Sequence, residues 1–145
     1  MDDLRWSDDD SMLDWDELSN LYRIAPLGIK PPESLRIVFG NSRFAVFAHV
    51  GETLVGAGRA VADGLDVAYI ADVAVHPDHQ GHGIGRQIIR RLVRAAAGHK
   101  KIILYANPGV EPFYLDLGFL PMNTAMAIWS DPDRAVADGV LRRPG

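Results

Sequence analysis

The 145 residues contain no cysteine, so no disulfide staples the chain and no thiol can serve as a covalent nucleophile. No apolar run approaches the ~18 residues that a membrane-spanning helix needs. The N-terminus lacks the basic stretch and apolar core of a secretory signal. A soluble, cytoplasmic protein is the expectation. Positive charge is scarce at the start: in the first seventeen residues eight acids (Asp2, Asp3, Asp8, Asp9, Asp10, Asp14, Asp16 and Glu17) face only Arg5, giving −7. The whole chain carries −4, so the remainder sums to +3. Much of that positive charge lies in Arg86, Arg90, Arg91 and Arg94, close together in one segment. The cluster is small and the acidic start would repel phosphates, which argues against nucleic acid as a partner.

What is present suits one core. Apolar residues make up 48% of the chain, and no repeat or linker divides it, so a single domain over 1–145 is expected, with an acidic, flexible start over 1–10 and a polar tail over 131–145. Asp14 and Glu17 form a candidate capping box before the helical spacing of Leu18, Leu21, Tyr22 and Ala25. A second helical pattern follows Pro31 and Pro32 through Leu35, Val38 and Phe39, and stops near Gly40. From Arg43 the period becomes two, with breaks at Gly51–Glu52 and Asp63–Gly64, predicting antiparallel strands at 43–50, 53–62 and 66–76. Ile84, Ile88, Ile89, Leu92, Val93 and Ala96 give the next segment one apolar helical face. A buried strand is predicted at 101–106. It should lie parallel to the third strand, because a helix crossover joins them. Residues 111–119 read as a short helix closed by Gly118, followed by another strand.

Between the third strand and its helix stands a glycine-rich bend. Gly81, Gly83 and Gly85 allow a tight backbone turn, and such a turn directs successive N–H groups at one point where the helix dipole adds its field. A diphosphate would fit. A P-loop is excluded because Arg86 and Gln87, not Lys and Ser/Thr, follow Gly85. The dinucleotide fingerprint is excluded because the glycines are spaced two and two. The segment does fit Gln/Arg-x-x-Gly-x-Gly/Ala, with Gln80, Gly83 and Gly85 in the fixed places. In this it resembles the pyrophosphate-binding motif of the GNAT superfamily of acyl-CoA-dependent N-acyltransferases. Downstream, a strand ending at Asn107, a helix carrying Phe113 and Tyr114, and then Gly118–Phe119 resemble the rest of that layout, so the likeness spans about 44–129.

The resemblance implies an α/β (α+β) GNAT fold: one mixed, mostly antiparallel sheet, helices on both faces, and a splay between two parallel central strands. It implies acetyl-CoA as co-substrate and no metal. The backbone of Gly81, His82, Gly83, Ile84, Gly85 and Arg86 would take the pyrophosphate, with Gln80 bracing the bend and Arg86 the arginine nearest a phosphate. Val73, Ala74 and Val75 would pair with the peptide-like pantetheine arm, and Asn107 belongs to the same cofactor set. A backbone N–H at or beside Val75 would polarise the thioester carbonyl. Asp72 is the candidate for binding the acceptor ammonium or relaying its proton, unless it is an ordinary polar strand residue. His76 is a weaker candidate. Tyr114 is placed to protonate the leaving sulfur; otherwise it packs beside Phe113. His76, His79 and His82 look like a ligand cluster, but the bend prevents a helix from aligning them, and no metal is expected.

The implied activity is acetylation of a primary amine of a small molecule by direct attack in a ternary complex. The alternative is a catalytically silent acyl-CoA sensor or interaction module. Residues 63–65 and 68–73 resemble the serotonin N-acetyltransferase-like branch of plants and cyanobacteria, which makes an arylalkylamine one acceptor class. Polyamines, amino acids, antibiotics and protein N-termini stay open. A homodimer is common in the superfamily.

Overall fold

The computed structural model describes residues 3–145, which fall into two compact units, one ending at Leu104 and the other Tyr105–Gly145. Asp2, one of the acids of the charged start, lies outside the described residues.

The first unit holds a five-stranded sheet in the order β1-β2-β3-β4-β5. β1 (Leu4–Ser7), β2 (Phe44–Val50), β3 (Thr53–Ala62) and β4 (Val67–Val75) pair antiparallel, and β5 (Lys101–Ile103) is parallel to β4. The strand β1 was not foreseen. It lies in the segment read as an acidic, flexible start, and its register sets Leu4 opposite Val50 and Ser7 opposite Phe47. Leu4 and Trp6 alternate with Arg5 and Ser7 there, and charge counting had masked that period of two.

Helices α1 (Trp15–Ile24) and α2 (Pro32–Gly40) cover one face. Leu18, Leu21, Tyr22, Leu35 and Phe39 pack there against Phe47, Leu54, Ala57 and Ala74 of the sheet. Asp14 caps α1 as the sequence suggested, accepting from the N–H groups of Asp16 and Glu17 at 3.0 and 3.1 Å. Glu17 turns instead to β3, where its carboxylate accepts from the Leu54 N–H at 3.0 Å, tying helix to sheet.

On the other face lies α3 (Ile84–Ala95), burying Ile84, Ile88, Ile89 and Leu92. Its close approach needs glycine on β3: a Cβ at Gly58 would stand 2.7 Å from Ile88 and 3.2 Å from Leu92. Gly58→Ala should therefore lower stability by about 1–3 kcal/mol, the usual cost of overpacking, measured by urea unfolding. An unchanged midpoint would show that α3 can shift away at little cost.

The second unit contains α4 (Glu111–Asp116) and α5 (Pro132–Ala137). α4 ends at Gly118, whose φ of +96° suits glycine, and the Phe119 N–H donates to the Tyr114 carbonyl at 3.0 Å. Two expectations need correcting. The strand expected after Phe119 is irregular, because Pro121 has no N–H and this unit offers no strand to pair with. The polar tail carries a capped helix, in which Asp131 accepts from the Arg134 N–H at 3.1 Å.

Candidate functional site

The parallel ladder between β4 and β5 is short. It joins Val67, Ala68 and Tyr69 to Lys101, Ile102 and Ile103 and stops there, whereas β4 runs on to Val75. The predicted strand at 101–106 thus ends three residues early, which leaves the far half of β4 with a strand partner only on its β3 side within this unit. The His76 N–H donates to the Val55 carbonyl of β3 at 2.8 Å. Successive N–H groups of a strand point to opposite edges, so the Val75 N–H faces the edge that β5 has left. The sequence had named that amide as a carbonyl-polarising donor.

A 3₁₀ turn at Pro77–His79 carries the chain from β4 to the glycine bend. Gly81 (φ +84°) and Gly83 (φ +79°) occupy left-handed backbone, and an added Cβ on either would meet nothing within 4 Å. Gly83 is the N-cap of α3, and no side chain caps that helix. The first-turn N–H groups at Ile84, Gly85 and Arg86 have no earlier carbonyl within the helix to reach, and an anion answers that deficit. The Gln80 amide donates to the Val75 carbonyl at 3.3 Å, linking the bend to the free edge of β4. His82 is exposed at the bend, while Arg86 is half-buried on the first turn and already engaged. These residues fit a pyrophosphate: an open run of backbone amides, a helix dipole, and no side chain competing for the cap. His76 is committed locally, its Nδ1 accepting from the Asp78 N–H at 3.1 Å, with the His79 ring 5.5 Å from its own.

Asp72 lies on a β-bulge. Ala57 pairs with Ala74 and Arg59 with Ala71, so Asp72 and Val73 together oppose Gly58, and Asp72 takes a φ of +57°. Asp tolerates that region better than most residues. The bulge is held from two sides. Tyr22, fully buried on α1, donates its hydroxyl to the Asp72 carbonyl at 2.7 Å. Burial, and then the Asp72 carboxylate, push the Tyr22 phenol well above its usual range, so it stays a donor. The Asp72 carboxylate accepts from Arg59 Nε at 2.7 Å and lies 3.4 Å from Lys30 Nζ, while Arg59 also donates to the Ser42 hydroxyl at 3.2 Å. With the Asp72 and Arg59 side chains only 16% and 15% exposed, this is a largely desolvated pair.

Tyr22, Arg59 and Lys30 were missed by the sequence reading. Tyr22 registered only as a helical core position, although a buried tyrosine hydroxyl needs a partner. An arginine in the middle of an otherwise apolar β3 was a second available signal.

In the second unit, the Asn107 carbonyl accepts from the Val110 N–H at 3.0 Å, which sets the turn into α4, and its side chain is exposed. Tyr114 is half-buried between the rings of Phe113 and Phe119, at 5.1 and 5.9 Å, and burial raises its phenol above the ordinary value.

The model of the acetyltransferase (GNAT) family matches residues 12–119. A protein named Uncharacterized N-acetyltransferase ycf52-like, from Prochlorococcus marinus, is 30% identical over 125 residues, covering 81% of this chain and 69% of that one. Serotonin N-acetyltransferase 2, chloroplastic, of Oryza sativa subsp. japonica is 46% identical over 63 residues, covering 42% of this chain and only 32% of its own length. A GNAT family acetyltransferase of Streptococcus pneumoniae superposes with a TM-score of 0.76 at 21% identity, covering 88% of this chain and 98% of that one. The chain belongs to the GNAT acetyltransferase family. Its open, mixed five-stranded sheet with helices around it is the fold of those neighbours.

Proposed function

We propose that this chain transfers an acetyl group from acetyl-CoA to a primary amine of a small molecule by direct attack in a ternary complex. The observation that carries the reading is the uncapped N-terminus of α3 behind Gln80–Arg86, joined through the Gln80 amide to the free edge of β4. Acetyl-CoA supplies the thioester: the amine nitrogen bonds to the acyl carbon as the carbon–sulfur bond breaks, the amine gives up its proton, and the sulfur gains one. The amides of Gly81 to Arg86 would hold the pyrophosphate, and Val73 to Val75 the pantetheine arm. Asn107 stays in the proposed cofactor set through the family likeness alone.

The pairing of Asp72 shifts its proposed role. Its carboxylate already holds one ammonium, that of Lys30, beside the Arg59 guanidinium, and we read it as the group that binds the acceptor ammonium. In this reading the acceptor ammonium takes the place of Lys30 Nζ, 3.4 Å from the carboxylate, while Arg59 keeps the carboxylate in place. Lys30→Met should then lower KM for the amine several-fold and change kcat by less than about threefold, because the Lys30 pair is partly solvated and individually weak. A raised KM would count against this role. Among acceptors we favour an arylalkylamine, supported by the relation to the rice serotonin N-acetyltransferase. Mass spectrometry of the product tests the bond formed: an O-acetyl product would refute amine transfer.

Tyr114, half-buried and with its phenol raised, stays protonated above the ordinary value of about 10 and gives its proton to a thiolate of pKa about 8.5 uphill. Tyr114→Phe should therefore retain turnover, slowed by about 10-fold, with unchanged acetyl-CoA affinity. An unchanged rate would remove the acid role.

A further inference from the structure

Far along α3 from the glycine bend lies a recess of about 510 Å³, between β1, the start of β2 and the last turns of the helix. We propose that it binds a small phosphomonoester with an aromatic or heteroaromatic body, at a site separate from the glycine bend.

Arg43, Arg91 and Arg94 are among the residues that line it. Asp8 is the one acid among the lining residues, so positive charge predominates there. Among the described residues none of the three arginines forms an ion pair. α3 carries Arg86, Arg90, Arg91 and Arg94 and no acid, so like charges stand three and four residues apart, an arrangement that weakens a helix. A bound anion would reverse the sign of that interaction.

Two of the three are also positioned. The Arg91 guanidinium lies 4.3 Å from the centroid of the Trp6 ring. Arg43 lies 5.8 Å from the Phe44 ring and rests its guanidinium beside Gly64 of the β3–β4 turn. Arginines stacked on rings lose little further freedom on binding, and their planar forks match phosphate oxygens.

The same walls present apolar surface, from the Trp6 and Phe44 rings and from Ala95. A recess of this size, mixing aromatic surface with a few convergent charges, suits a small organic anion. Its concavity argues against a nucleic-acid backbone. At about 1.5 Å of rise per residue, Arg91 to Ala95 lie roughly 12–18 Å along the helix from Gly83, beyond the reach of the pyrophosphate cradle.

Adenosine 5′-monophosphate is the probe, titrated by calorimetry into the whole chain with CoA at saturating concentration, beside adenosine and inorganic phosphate. AMP should bind one to one with CoA present, and adenosine at least about 10-fold more weakly. Arg94→Ala, and separately Arg91→Ala, should each weaken AMP about 10-fold with the melting temperature of Arg94→Ala unchanged. Arg90→Ala, on an exposed part of the same helix outside the recess, should change it less than twofold. No AMP heat at millimolar concentration, loss of AMP binding when CoA is added, or an equal effect of Arg90→Ala would each overturn the site. Phosphate binding as tightly as AMP would overturn the ligand class.

Discussion

Gly83→Val should abolish most acetyl-CoA binding while leaving the protein folded. An added Cβ at position 83 meets nothing within 4 Å, so the substitution meets no steric wall in the fold. Its φ of +79° is the objection to a side chain, since a β-branched residue in left-handed backbone costs about 1–2 kcal/mol. The ligand loses more. A valine at the N-cap fills the space in front of the first-turn amides and turns the peptide planes that aim them. Losing one or two hydrogen bonds to a charged group, at roughly 1.5–3 kcal/mol each, predicts about 100-fold weaker acetyl-CoA binding. Calorimetry beside thermal denaturation separates the two effects. Unchanged affinity would mean that the bend does not hold the pyrophosphate.

The second large effect is expected at Asp72, where asparagine is the informative replacement. Asparagine tolerates left-handed backbone as well as aspartate, so the +57° φ is preserved and only the charge is removed. Arg59 is then left facing a neutral amide in a largely desolvated place, with the partly solvated Lys30 beside it. Breaking such a pair costs about 3 kcal/mol, which for a domain of this size lowers the melting temperature by roughly 10 °C. Turnover at subsaturating amine should fall about 100-fold, because the acceptor ammonium loses its carboxylate, while acetyl-CoA affinity stays within about threefold. A variant melting like the parent with full activity would reduce Asp72 to an ordinary strand residue.

The elements best read from sequence are those whose signals are local. The cap at Asp14, the break at Gly51–Glu52, the apolar face of α3 and the bend at Gly81 and Gly83 each depend on a few neighbouring residues; Gly85, read as part of that bend, lies instead in the first turn of α3. The parallel pairing of β5 with β4 followed from the crossover rule. What stayed hidden depends on partners distant in sequence. Tyr22 reaches Asp72 across fifty positions, Arg59 meets it only because a bulge turns both side chains to the same face, and Lys30 comes from the turn between α1 and α2. β1 was hidden because acids flanking Leu4–Ser7 outweighed its short alternation. A further strand was expected after the helix closed by Gly118, yet a strand exists only where a ladder partner is supplied.

The central claim is tested most directly by mixing the chain with acetyl-CoA and a panel of amines, following thiol release, and measuring acetyl-CoA binding by calorimetry in the same preparation. The account predicts one-to-one acetyl-CoA binding and thiol release that depends on one amine class, arylalkylamines first, with the acetylated amine recovered in equal amount. Absence of acetyl-CoA binding would contradict the assignment of the Gln80–Arg86 bend, and binding without release from any amine would contradict catalysis while sparing the bend.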